Sequence, residues 1–503
     1  MALILIGSGA RAAVYEVGPR RPYKTLQAVT ALLNPGDVVT VDGGVTYPGG
    51  VTLGAEGAPG KGVISVMGRR VNGERPMLSG VTEQGGTVMR VLGSHYVIEG
   101  FDLTEGGDPR TARCFYNVAD DVTLRDSVVH DCDLTGISGA DGSGSLTLDR
   151  VEVCRCGKGL YAHQIYVGSS LAKYPRALFR MRYCYVHDGS GGNNVKSRVT
   201  RNQIEYNWIE GAFYHELDLV GPDPKAQKTP KGGIHCDADI VGNVLVVTGT
   251  SKGTMARFGS DGTASSRGRY RFASNTVIVS ATGAARFGLF WLKGEVDSVM
   301  VWNNVFWSEA GPLSLVRTEG GPPPVLAGAG NWLPEGTGNA PPAWKAIRGT
   351  DPGFLNAAAG DYRPAPGSPL IGAGCVPPQS GVVATGIPPA RKAPVGEEGV
   401  RPATREKDIG AYPFLDGSPA ESGAGQASLP VMPRHPDTMP ERAVPIAGHQ
   451  NHRGSGAKSR VIKTGMINAV ATVTVVPMMT VADDDDNRIG GRDRGPGERG
   501  GDE

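Results

Sequence analysis

The chain has 503 residues, with 51 Lys and Arg against 50 Asp and Glu and a formal charge of +1. A field that small gives no reason to expect nucleic acid as a partner, and no stretch approaches the roughly 20 apolar residues of a membrane-spanning helix. The 75 Gly and 37 Pro beside 6% aromatics predict many turns and no long helices, and the glycines lack the three-residue period of collagen.

Residues 1–13, MALILIGSGARAA, carry a short apolar stretch followed by Ala10-Arg11-Ala12. This fits the end of a secretory signal whose basic leader is missing, the alternative being an ordinary first strand. The expectation is a truncated signal peptide on an exported protein, secreted or periplasmic.

From Ser127 onward a motif returns: a polar residue, often Asn, then a short β-branched or aromatic run. It reads SVVH at Ser127, RVEV at Arg150, YCYV at Tyr183, NWIE at Asn207, NVLV at Asn243, NTVIV at Asn275 and NVFW at Asn304. Strands recurring every 23 to 36 residues with Gly, Asn and Asp turns between them are the signature of a β-solenoid. One coil leaves its inward Val, Ile and Leu half exposed, so stacking of coils is the fold. The irregular period excludes a strict hexapeptide solenoid and predicts a right-handed parallel β-helix over residues 14–415. Its ends are expected to be capped and the protein monomeric rather than oligomeric.

Cys132, Cys154, Cys156 and Cys184 fall in consecutive coils, where neighbouring strands lie only about 4.8 Å apart. A disulfide rung is one reading; packing as small inward hydrophobes is the simpler one. Cys154-Arg155-Cys156 has a one-residue spacer and no paired CxxC, which argues against a structural zinc site there. Beyond Phe414, residues 416–503 turn rich in Pro, Gly and charge, including the acidic run Asp483 to Asp486, and read as a disordered tail.

Three further passages resemble the right-handed parallel β-helix superfamily that includes the pectate-lyase-like enzymes. YKTLQAVTALLNPGDVVTVDGGVTY, Tyr23 to Tyr47, is similar to its N-terminal segment, a capping helix followed by a Pro-Gly-Asp turn into the first strand. DPGFLNAAAGDYRPAPGSPLIGAG from Asp351 and DIGAYPF from Asp408 are similar to its closing segment. HQIYV at His163, NNVKSR at Asn193 and HELDL at His215 resemble a passage found in bacterial polysaccharide lyases on this fold. In that passage the segment after Leu219 reads VGPDPKAQ where a short Pro-Asn-Gly-Gly turn is expected. The resemblance implies the fold, and implies β-elimination on an acidic polysaccharide without naming the substrate.

Strand alternation identifies the outward side chains. With Ile165 and Val167 inward, Gln164 and Tyr166 face out; with Val195, Ser197 and Val199 inward, Asn194, Lys196 and Arg198 face out. Leu217 and Leu219 leave Glu216 and Asp218 outside, and Ala256 and Phe258 leave Met255 and Arg257 outside. These segments are expected to stack into one polar ladder, with the insertion Gly221 to Gly233 walling a groove beside it. The bland alternative is cross-strand ion pairing worth a few tenths of a kcal/mol.

β-Elimination must neutralise a uronate carboxylate and stabilise the enolate-like charge that develops. Arg198 or Arg257 can pair that carboxylate, or a Ca²⁺ ion held by Glu216 and Asp218 can do so; no organic cofactor is needed. Lys196 is the expected base, neutralised by adjacent Arg198 and partial burial. Tyr166 and His163 stand second, although the parity of His163 turns it inward with Ile165. Gln164, Asn194 and Tyr214 are candidate substrate contacts, and His187, at a turn, a reserve. Trp208 is read as buried in the repeated strand. A glycoside hydrolase would instead use Glu216 and Asp218, whose Cα atoms would lie about 6.6 to 7 Å apart on one strand. Asp120-Asp121, lacking a Gly-His-Gly companion, reads as a turn. A non-catalytic glycan-binding or adhesin role is the third reading, and no sugar polymer is singled out among acidic glycans.

Overall fold

In the computed structural model, the described residues are 12–81, 86–108, 111–223, 233–248, 253–263, 265–280, 288–376 and 408–414. Most of the expected signal segment, most of the Gly221 to Gly233 insertion and the whole 416–503 tail therefore lie outside them.

Each coil supplies two strands to a large sheet and one to a ten-stranded sheet. One coil runs Arg201–Glu205, Trp208–Glu210, Leu217–Val220; the next runs Asp237–Val241, Val244–Val247, Ala256–Gly259. Corresponding strands of successive coils pair in parallel, Ile204 opposite Ile240, Ile209 opposite Leu245 and Leu217 opposite Ala256. Inward Val, Ile, Leu and Phe thus lie above one another and form one continuous core along the helix axis. The repeated runs noted in the sequence are strands of the large sheet.

The recurring Asn is explained by the corner between the two large-sheet strands of a coil. There the chain bends through one residue in the left-handed region, Tyr206, Gly242, Ser274, Asn303 and Gly330 in five successive coils, and an Asn follows each. The amide of Asn207 donates from Nδ2 to Oδ1 of Asn243 at 2.9 Å, Asn243 to Asn275 at 2.9 Å, Asn275 to Asn304 at 3.0 Å and Asn304 to Asn331 at 2.9 Å. Each buried amide carries both a donor and an acceptor, so the stack satisfies itself at a corner where sheet hydrogen bonds lapse. Gly242 and Gly330 take the corner without the steric cost that the side chains of Tyr206 and Asn303 bear.

Three expectations about the frame change. The first strand is Val14–Val17, which precedes the capping segment and pairs with Val38–Asp42, and the capping helix is one turn, Gln27–Thr30. Cys132 is bonded to Cys114, while Cys154, Cys156, Cys184 and Cys236 are buried thiols. Of the two readings, burial as free thiols holds for Cys154, Cys156 and Cys184, while Cys132 forms a bridge to a cysteine of the preceding coil that lies outside the four. Trp208 faces outward, because it opens its strand just past the corner, and Tyr362 stacks on it at 5.7 Å. Tyr362 belongs to the hairpin Phe354–Asn356 and Asp361–Pro364, which with Asp408–Phe414 clasps the outside of the large sheet. Gly410 N donates to Asn303 O at 2.8 Å and Ala411 N to Thr276 Oγ1 at 2.9 Å. Asp120-Asp121 forms a turn as expected, with Asp121 at φ 53°.

Candidate functional site

The outer face of the ten-stranded sheet carries one ladder of side chains set by strand register. Ser138, Tyr166, Lys196, Asp218, Arg257, Trp291 and Arg317 stand at equivalent positions of seven consecutive strands. Four of the nine residues read from sequence as outward, Tyr166, Lys196, Asp218 and Arg257, form its middle, and the pattern extends further on both sides.

Charge concentrates at the centre. Arg257 grips Asp218 with two bonds, Nε to Oδ1 at 2.9 Å and Nη2 to Oδ2 at 3.0 Å. Lys196 Nζ lies 3.3 Å from Asp218 Oδ2 and 2.8 Å from Asp261 Oδ2. Arg198 donates from Nη2 to Asp261 at 2.5 Å, from Nε to the Tyr166 hydroxyl at 2.8 Å and from Nη1 to Gly221 O at 2.9 Å. Lys196 and Arg198 also lie over the Tyr166 ring at 5.6 and 5.9 Å. Burial works against both carboxylates, yet Arg257 and Lys196 for Asp218, and Lys196 and Arg198 for Asp261, hold them well below the usual carboxylate range. Asp218 is fully buried, and Lys196, Arg198 and Arg257 nearly so.

Around this centre stand groups that the sequence reading placed elsewhere or missed. His163 faces the charged cluster rather than the core. Its ring meets Tyr166 edge-on at 5.3 Å, its Nδ1 accepts from Asn193 N at 2.9 Å, and burial with Lys196 nearby lowers it to about 3. It is a neutral, packed imidazole. His215 occupies the same position two coils on, likewise lowered to about 3 by burial and Arg257, with Nδ1 accepting from Thr254 N at 3.0 Å. Tyr214 lies beside it, its ring 5.8 Å from the Arg257 guanidinium. Asp261 was overlooked; the signal was Gly259-Ser260-Asp261-Gly262-Thr263, a turn directly after the Arg257 strand. Trp291, with Arg257, Lys293 and Arg317 at 5.5, 5.2 and 4.9 Å, was visible as the outward residue of the next strand.

Three candidates are corrected by one physical cause, the corner before each strand. Gln164, Asn194, Glu216 and Met255 sit at that corner and point inward, as do the next residues Ile165, Val195, Leu217 and Ala256. Two successive inward residues break the alternation that put the first four outside. Gln164 Nε2 donates to Asn194 Oδ1 at 2.9 Å, and Asn194 Nδ2 to Glu216 Oε2 at 2.6 Å, a short buried ladder of its own. Gln164 and Asn194 therefore do not contact a ligand on the outer face. Burial raises Glu216 to about 8 although Ala212 N and Asn194 donate to it. Glu216 and Asp218 share no partner and do not face one space, so they are neither a hydrolase pair nor a hard-oxygen cage. The Asp218 oxygens are filled by Arg257, Lys196 and Asn193 Nδ2, the last at 2.9 Å. His187 lies on the large sheet, bound to Asp188 and Glu152, away from this face. Lys196 contacts two carboxylates, Asp218 and Asp261, which favour its charged form and oppose the effect of adjacent Arg198 and burial on which its role as base rested.

No family model and no curated protein matches the chain. Among solved structures it is similar to pectate lyase Pel9A, at 14% identity over 81% of this chain and 98% of that one, with a TM-score of 0.52. The alginate lyase from Paenibacillus sp. str. FPU-7 aligns at 15% identity over 62% of this chain and 97% of that one, with a TM-score of 0.40. The GH136 lacto-N-biosidase from Eubacterium ramulus aligns at 12% over 62% and 68%, with a TM-score of 0.36. At such identities the likeness carries the fold alone: the chain is a right-handed parallel β-helix protein, with the fold of pectate lyase Pel9A.

Proposed function

We propose that the outer face of the ten-stranded sheet binds an acidic, uronate-containing polysaccharide and cleaves it by β-elimination. The observation that carries this reading is the cluster of three nearly buried cations around Asp218 and Asp261, with the Tyr166 hydroxyl among them. Burying five charges costs more than a packed apolar face would, and an anionic ligand on this face would offset that cost. The flanking Trp291, Arg317 and Lys293 extend the same cationic and aromatic character along the axis, as a polyanionic chain requires.

In this reading Arg257 pairs the uronate carboxylate through Nη1, since its Nε and Nη2 hold Asp218. Lys196 and Arg198 stabilise the enolate-like charge. Once its phenolic proton has passed to solvent, the Tyr166 oxygen takes the proton beside the carboxylate: it is held in place by Arg198 Nε and is not tied up in an ion pair as Lys196 is. The electron pair of the broken C–H bond forms the double bond, and the glycosidic oxygen leaves with a proton from solvent or Tyr166. Asp218 and Asp261 position the cations. Neither step is routed through Ca²⁺, because Glu216 and Asp218 do not fit it. The Cys114–Cys132 disulfide supports action in an oxidising compartment outside the cytoplasm. Among the described residues no helix is long and apolar enough to cross a membrane.

The test is ultraviolet absorbance of the unsaturated sugar while the protein acts on a panel of uronate polysaccharides, with and without Ca²⁺. A rise that falls by about 10²-fold or more in Tyr166→Phe supports the assignment. A rise undiminished in Tyr166→Phe but abolished in Lys196→Met returns the base to Lys196. Retention of the polymer without any product makes the face a binding surface, and neither retention nor product on any acidic polymer ends the reading.

A further inference from the structure

On the outer face of the large sheet, away from the charged ladder, the strands Val122–His130, Leu146–Cys154 and Tyr185–His187 stack in parallel. Register sets His130, Cys154 and His187 at equivalent positions of three successive coils, and Glu152 opposite Tyr185. Glu152 stands two residues before Cys154, on the same strand and the same side. One carboxylate oxygen of Glu152, Cys154 Sγ and a ring nitrogen of His187 all lie within 4.8 Å of one another. We propose that Glu152, Cys154 and His187 form a Zn²⁺ site with an open fourth position.

The donors and their supports match that ion. A thiol, an imidazole and a carboxylate together suit Zn²⁺ and disfavour Ca²⁺ or Mg²⁺, which take oxygen alone. Around tetrahedral Zn²⁺, bond lengths of about 2.0 to 2.3 Å put ligand atoms roughly 3.3 to 3.8 Å apart, so the cluster closes with about 1 Å of side-chain movement. His187 is already oriented for it. Its Nδ1 is 2.8 Å from Asp188 Oδ2, which fixes the proton there and turns Nε2 toward Glu152 at 3.2 Å. That carboxylate-to-imidazole support is the usual outer arrangement of a zinc-ligating histidine. The Tyr185 ring stacks on His187 at 3.9 Å and is itself tied to Glu210 at 2.6 Å, so the imidazole cannot swing. Cys154 is 2% exposed, while the Glu152 and His187 side chains are 16% and 12% exposed, which leaves an approach from solvent on the carboxylate and imidazole side.

His130 is not the fourth ligand, since Asp102 and Asp131 hold both of its nitrogens, at 2.7 and 2.5 Å. The competitor for the site is Arg155, whose Nη1 donates to Cys154 Sγ at 3.2 Å while its Nε holds Asp131 at 2.8 Å. Zn²⁺ must displace that donor from the sulfur, and binding releases the proton from Cys154 and from His187 Nε2. A bound ion would link two successive coils, adding to stability with the logarithm of its concentration over its Kd.

The experiment uses the full, untagged chain stripped of metal with chelator. Zn²⁺ is titrated calorimetrically, and Co²⁺ serves as a spectroscopic probe. One equivalent of Zn²⁺, a cobalt-thiolate charge-transfer band, and at least about a tenfold loss of affinity in both Cys154→Ser and His187→Gln support the site. Arg155→Ala, which removes the competitor together with its ion pair to Asp131 but no ligand, should bind as tightly or more tightly. Absence of Zn²⁺ binding in the unaltered protein overturns the proposal. So does a cobalt-thiolate band that survives Cys154→Ser, or a loss of binding in Arg155→Ala with none in Cys154→Ser. Circular dichroism of each variant separates a lost ligand from a lost fold.

Discussion

The molecule holds two stacked polar ladders built by the same device, and they behave oppositely. Asn207 to Asn331 line an interior corner, neutral and self-satisfied, the three inner amides each giving and taking one hydrogen bond along the axis and the two end amides completing theirs on backbone groups. Tyr166 to Arg317 line an outer face, charged and mixed, each residue differing from its neighbours. Repetition in the first serves any coil equally and explains why Asn recurs. Variation in the second is confined to one place on the surface, as the proposed binding face requires.

The sharpest way to break that contrast is at Asp218. Replacing it by Ala leaves Arg257 and Lys196 buried without their partner and should cost about 3 to 5 kcal/mol, read from urea unfolding. Replacing Lys196, Asp218 and Arg257 together by Met, Leu and Met should recover most of that loss while abolishing retention of acidic glycan. If the triple variant remains as destabilised as the single one, the cluster is structural after all. In the neutral ladder, Asn243→Ala strands Asn207 N and Ile204 O and should cost about 2 to 3 kcal/mol, with no effect on glycan binding.

Glu216 offers a pH-dependent test. Its folded pKa is raised to about 8 from 4.5, so its contribution is fully present below 4.5 and is lost as pH rises through about 8. Glu216→Gln should match the parent in acid and exceed it in alkali, by up to about 5 kcal/mol by thermal melting near pH 9. Equal melting at both pH values would mean that Glu216 is ionised in the fold. On the acid side, His163 and His215, lowered to about 3 from 6.5, predict stability that declines as pH falls below 6.5. The smallest effect is expected at the half-exposed pair of Arg267 and Asp297, where Arg267→Ala should change stability by about 0 to 1 kcal/mol.

Sequence was a good guide wherever the information was local. The Asn-led runs announced coil after coil, and the in-and-out order of Ile165 to Val167, Val195 to Ser197 and Leu217 to Leu219 was as alternation predicts. It misled at the corners, where a second inward residue turned Gln164, Asn194 and Glu216 into the interior, and at His187, which shares a turn-like context with the site but lies on another sheet. Asp261 was missed because its closeness to Lys196 spans 65 residues.

The sequence by itself therefore determined that this chain winds into a parallel β-helix, because a repeating pattern of apolar residues and turns fixes each coil from its own segment. Only the tertiary structure decided which outward residues meet. Loops of unequal length between coils set the register, and register alone brings Lys196, Asp218 and Arg257 onto one face and Cys154 and His187 onto another.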